Sequence, residues 1–127
     1  MKSFIISTVL AALLVTFVIT VSVSTASVCD EMYDKVKDAP ASDGTSDTLE
    51  KELEYFTDLS ERWQECKKII NLSINHQKTE IVDQNFANVI GACEANDYKQ
   101  YKICVSATAD SIDAVRGLCK CSLDNII

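Results

Sequence analysis

Six cysteines, Cys29, Cys66, Cys93, Cys104, Cys119 and Cys121, are the residues of this chain best suited to covalent chemistry. A thiol can attack a substrate, bind zinc or pair with a second thiol, and spacing together with compartment separates these uses. Cys119-Lys120-Cys121 lacks the two-residue gap of a zinc knuckle or a redox motif. His76, the single histidine, falls in a polar stretch with no nucleophile on a recognisable motif beside it, which argues against a histidine dyad or triad. The carboxylates Glu50, Glu54, Asp58, Glu61 and Glu65 recur at helical steps, without the D-x-D-x-D-G spacing of a calcium loop, and read as a solvated helix face. Asn71-Leu72-Ser73 is a glycosylation sequon, so Asn71 is a candidate for sugar attachment. Together these residues predict no enzyme and no metal or other cofactor.

The compartment decides what becomes of the thiols. Lys2 precedes an apolar run from Phe4 to about Val23, and Ser24 and Ala26 stand three and one residues before a cut ahead of Ser27. That is the pattern of a signal peptide over residues 1–26. The run is long enough to act as an anchor, but Thr16, Thr20, Ser22, Ser24 and Thr25 dilute its second half, and cleavage is the reading taken. All six cysteines stay in residues 27–127, a length that suits one domain. A small exported chain with an even cysteine count predicts three disulfides in an extracellular protein with no membrane span after the cut. The formal charge of −7 becomes −8 when Lys2 leaves with the leader, and repulsion from phosphate excludes nucleic acid as a partner.

The elements that must position the cysteines are helical. Three glycines and one proline are too few for an all-β or loop-rich toxin scaffold. A short helix is expected within residues 27–37, with Met32 and Val36 beside Cys29, followed by a loop over residues 38–46 that holds Pro40. From Asp47 to Ile70 the residues Leu49, Leu53, Phe56, Leu59, Trp63, Cys66 and Ile70 form one apolar stripe. Asp47 and Glu50 suit a capping box at its start, and Lys67 and Lys68 suit the negative end of its dipole. A third helix is expected from about Thr79 to Ala95, with Val82, Phe86, Val89 and Cys93 inward. Gly91 interrupts it, implying either a close backbone neighbour or a loose end. Asn96 suits a left-handed cap, Asp97 with Gln100 suits the next start, and the stripe from Tyr98 to Cys119 keeps its phase, predicting one long helix to about Cys121. The fold class is therefore all-α, a small disulfide-linked antiparallel bundle of three to four helices.

Within that bundle Cys66, Cys93, Cys104 and Cys119 lie on or beside the stripes, whereas Cys121 points about 200° away from Cys119. Six cysteines leave the connectivity open. An antiparallel order places Cys66 near Cys119 or Cys121; Cys93 and Cys104 flank the turn at Asn96, and a bridge between them competes with one to Cys29. The order of a leader, Cys29, Trp63 followed by Cys66, Cys93, then Tyr101 before Cys104 resembles the secreted cysteine-rich helical proteins of nematodes, a family of unknown function. The resemblance implies an extracellular helical domain and assigns no site; such proteins usually carry more cysteines. The expected function is that of a secreted, non-enzymatic binding or effector protein acting on an extracellular protein or receptor. The alternative is a carrier of a small apolar ligand held between helices near Gly91 and Ala92.

Overall fold

The structure is a computed structural model that describes residues 1–40, 48–72 and 74–126. It contains α1 (Lys2–Lys37), α2 (Glu50–Ile70), α3 (His76–Glu94) and α4 (Tyr98–Ile126). The expected all-α class holds. The expected short helix of residues 27–37 is the last third of α1, which runs without a break from Lys2. Its first part exposes Phe4, Ile5, Ile6, Val9, Leu10, Leu13, Leu14 and Phe17, and the helix is long and apolar enough by composition to cross a membrane. Farther on, Thr25, Cys29, Met32 and Val36 turn inward at steps of four, three and four and are all fully buried.

Cross-helix contacts set the order. Tyr55 donates to the Lys35 carbonyl at 2.5 Å while Arg62 pairs with Glu31, so α2 runs antiparallel to α1. Lys67 meets Asp83 and Thr79 meets Asn71, so α3 reverses again. Asn85 donates to the Ala107 carbonyl across α3 and α4. At one end of α4 Tyr101 donates to the Pro40 carbonyl, and farther along Arg116 pairs with Asp30 at 3.5 Å, so α4 closes the ring against α1. Neighbours around the ring pack along their lengths, and α2 and α4 stand diagonally, meeting across the centre through the Phe56 and Tyr101 rings.

Inward stripes fill the centre. Phe56 meets Tyr101 edge-on at 5.8 Å between ring centroids, Phe86 lies 6.4 Å from Phe56, and Trp63 lies 6.2 Å from Phe86. These four rings are essentially without solvent contact and tie α2, α3 and α4 into one core. Each fully buried apolar side chain of this size contributes roughly 1.5 to 3 kcal/mol. Glu50, Glu54, Asp58, Glu61 and Glu65 face solvent, as the charge pattern of α2 implied.

Helix ends follow the local signals with two differences. α2 starts at Glu50 with Leu49 as its N-cap and no side-chain cap of its own; Asp47, the expected capping partner, lies outside the described residues. α3 starts at His76, three residues earlier than expected, because the Asn75 side chain accepts a hydrogen bond from the Gln77 N–H at 2.9 Å. At its other end Asn96 takes φ 52°, the left-handed cap anticipated for it, and Asp97 accepts from the Gln100 N–H at 3.0 Å to open α4. Gly91 corrects the sequence reading. Nothing lies within 4 Å of the position a Cβ would take, and the helix continues past it to Glu94, so neither a close neighbour nor a loose end explains the glycine.

Asn96 has a second task that its own helix does not show: its Oδ1 accepts from the Leu49 N–H at 3.0 Å, capping α2 from the α3–α4 turn. Asn96→Gly keeps the left-handed backbone and loses only that acceptor, at a cost of about 1 kcal/mol. Asn96→Ala adds the strain of a left-handed β-carbon and costs about 2 kcal/mol or more. Urea unfolding of both variants checks the ranking, and equal losses would contradict it.

Candidate functional site

Two features lie side by side on α1: a cluster of thiols on its inner face and a charged groove on its outer face. The inner feature follows from helix order. α1 stands between α2 and α4, so Cys29, on its inward stripe, meets Cys119 on the inward stripe of α4, with their sulfurs 3.8 Å apart. Both residues are buried, at 0% and 2% exposure. Cys66 is half-buried on α2 near the same level and raises the Cys29 thiol through its charge. All six cysteines are thiols in this structure, and Cys121 is exposed.

The spacing places Cys66 near Cys119 or Cys121, and the sulfur in contact with Cys119 in the structure is that of Cys29. The physical reason is the extent of α1: sequence periodicity made residues 27–37 a minor element, whereas it fills one corner of the ring and separates α2 from α4. Cys93 and Cys104, both buried, come near enough across α3 and α4 for Cys104 to raise the Cys93 thiol.

Environment divides the thiols. The Cys29 thiol is pushed far above its usual range, chiefly by its hydrogen bond with the Cys119 sulfur and secondarily by burial. The same hydrogen bond lowers Cys119, which therefore holds the more readily ionised sulfur of the pair. Burial raises Cys66 against the opposing charge of Arg62. Cys93 is pushed up to about 11 by burial first, with the charges of Glu52 and Cys104 adding to it. Glu52 is itself an unforeseen buried carboxylate at 8% exposure, set inward on α2 between the expected stripe positions. Around the Cys29 and Cys119 pair, Arg116 stacks on the Tyr33 ring at 4.1 Å and reaches Asp30, which Lys120 also approaches at 3.9 Å. This ion network seals the rim of the α1–α4 seam.

The outer feature is a groove of about 490 Å³ between α1 and α2, lined by Lys35, Tyr55, Asp58, Leu59, Glu61, Arg62 and Glu65. Glu31 draws Lys35 and Arg62 together at its edge, with Lys35 at 3.3 Å. A second cavity of about 290 Å³ lies at the end of the bundle, lined mainly by Val36, Ala39, Pro40, Tyr101, Val105 and Ala109. Neither cavity is lined by Gly91 or Ala92, the residues around which a ligand pocket was expected. Trp63 is a core anchor whose Nε1 donates to Asp83 at 2.6 Å, and Asp83 also binds Lys67 at 2.7 Å. Sequence reading missed Asp83, since only the register of α3 on α2 brings it there.

His76 is exposed as the first residue of α3, away from the thiol pair. Among the described residues no three His, Cys, Asp or Glu side chains are gathered as a metal site needs. Asn71 is half-buried at the end of α2, its Oδ1 accepting from the Thr79 hydroxyl at 2.8 Å, while Ser73 of the sequon lies outside the described residues. No family model matches the chain, and no curated protein or solved structure is similar to it at a significant level.

The raised Cys93 thiol has a consequence for the reduced protein. A group whose folded pKa exceeds its unfolded value near 9.0 contributes stability that is complete below that value and lost as pH rises through about 11. In the presence of reductant, the stability advantage of the native chain over Cys93→Ala should therefore shrink between pH 9 and 11. Urea midpoints at several pH values measure it, and an advantage that stays constant would contradict the buried-thiol assignment.

Proposed function

We propose that the protein is a secreted, non-enzymatic, disulfide-linked helical domain that acts as an extracellular binding or effector protein on a protein or receptor partner. The observation that carries this reading is the pairing of a filled interior with a charged groove on the outside. The space between helices is occupied by Phe56, Trp63, Phe86 and Tyr101, while the groove between α1 and α2 presents Asp58, Glu61 and Glu65 with Lys35, Arg62 and the Tyr55 ring. Its complement is a partner surface carrying basic and apolar side chains, consistent with the overall charge of −7. The leader over residues 1–26 would deliver the domain to an oxidising compartment, where the cysteines pair. Support for that leader is the exposed apolar surface of early α1, which the bundle does not use. The likeness to secreted helical proteins of nematodes in cysteine order agrees with this setting.

One observation favours the carrier reading: the cavity at the end of the bundle is mostly apolar, and at about 290 Å³ it suits a small ligand. Native mass spectrometry of the secreted protein separates the two. A bare polypeptide is expected for a binding or effector protein, and a retained small molecule would overturn that reading in favour of a carrier.

Glycosylation of Asn71 belongs to the same proposal. The residue closes α2 where the chain turns at the surface, and its amide nitrogen is not used by the bond its oxygen makes to Thr79. Protein secreted from eukaryotic cells should lose mass on treatment with an amidase specific for N-linked sugars, and Asn71→Gln should abolish that loss. An unchanged mass in the native chain would refute the modification.

A further inference from the structure

We propose that Cys29 and Cys119 are joined by a disulfide that fastens the N-terminal helix to the C-terminal helix of the secreted domain. The inference deepens the proposed function and rests on its oxidising compartment. It stands on the 3.8 Å contact between the two sulfurs, the burial of both residues, and the position of each on the inward stripe of its helix. The remaining approach to a bonding distance of about 2.05 Å is within the reach of side-chain rotation and a small helix shift. The competing partners are placed less well. Cys66 is on α2, half-exposed, and Cys121 projects to solvent about 200° around α4 from Cys119.

The cross-link answers a structural need. Removal of residues 1–26 shortens α1 to residues 27–37, a length at which an isolated helix is marginal in water. What then holds it is the inward set Cys29, Met32 and Val36, together with the Arg116 and Lys120 contacts to Asp30 and the α2 contacts of Tyr55 to the Lys35 carbonyl and of Arg62 to Glu31. A covalent bond at Cys29, in the first turn of the shortened helix, pins its free end to α4. It also closes a loop that spans 90 residue positions, nearly the whole mature domain, and so restricts the unfolded chain strongly.

The chemistry balances with a disulfide-bearing thiol oxidoreductase as oxidant. As the chain folds, the thiolate of one of the two cysteines attacks the oxidant's S–S bond and releases one of its sulfurs as a thiol. The other cysteine then gives up its proton and attacks the protein sulfur of the mixed disulfide, expelling the second sulfur of the oxidant. Two protein thiols have lost two protons and two electrons, and the oxidant has become a dithiol.

Trypsin makes the test direct, because cleavage after lysine and arginine puts each cysteine on its own peptide: 27–35, 63–67, 79–99, 103–116, 117–120 and 121–127. The secreted full chain, alkylated under denaturing conditions without reductant and then digested, should yield peptide 27–35 linked to peptide 117–120. Peptide 27–35 linked to any other cysteine peptide overturns this pairing while leaving an oxidised, exported protein. Alkylation of all six cysteines overturns both the pairing and the exported reading. In Cys29→Ser, Cys119 alone should become alkylated, and the melting temperature should fall by about 10 °C or more. If that variant is not secreted, the map of the native chain decides. Alkylation of Cys66 or Cys121 instead of Cys119 would likewise refute the assignment.

Discussion

Four inward stripes must be hidden at once, and this structure does it by setting the helices at the corners of a ring around a column of aromatic side chains. Phe56 and Trp63 from α2, Phe86 from α3 and Tyr101 from α4 occupy that column. Their size sets how far apart the helices stand, and the antiparallel order follows from the short connections at residues 71–75 and 95–97. Once α2, α3 and α4 are arranged in this way, an apolar seam remains between α2 and α4, and Cys29, Met32 and Val36 of α1 close it.

Polar groups trapped by this arrangement find partners close at hand. Thr25 and Thr108 donate to carbonyls four residues back on their own helices, at 2.7 Å each. Thr79 bonds to Asn71, and the Trp63 N–H finds Asp83. A buried donor left unpaired costs about 1 to 3 kcal/mol, so these local solutions are what permit a small core to hold threonines and a tryptophan. Among the described residues, the Tyr98 hydroxyl and Asp30 Oδ1 are buried oxygens without a hydrogen-bond partner, and Asp30 Oδ1 has the charges of Arg116 and Lys120 nearby.

α1 joins two regimes of surface in one helix. Up to about Val18 its apolar side chains face outward on every side, with hydroxyls such as Thr8 and Thr16 turned back onto helix carbonyls. From Thr25 onward only one side is apolar, and it is packed. The change falls beside the expected cut before Ser27, where the small residues a processing enzyme needs lie within unbroken helix. The same helix therefore supplies the export signal proposed for the chain and, beyond it, the corner of the ring that carries Cys29.

The sequence by itself determined the helices, since steps of three and four from Leu49 to Ile70, from Val82 to Cys93 and from Tyr98 to Cys119 can satisfy only one period. It also determined local ends such as the left-handed Asn96 and the Asp97 cap, because those depend on a few neighbouring atoms. It could not reveal that Asn96 also caps α2, that Asp83 receives the Trp63 N–H, or that Glu52 is buried, since each depends on the rotation and register of one helix against another. The partner of Cys119 belongs to the same category. Periodicity states which face of a helix is inward, but which neighbour stands opposite that face is decided by the ring order, and that order emerges only when all four stripes are packed together.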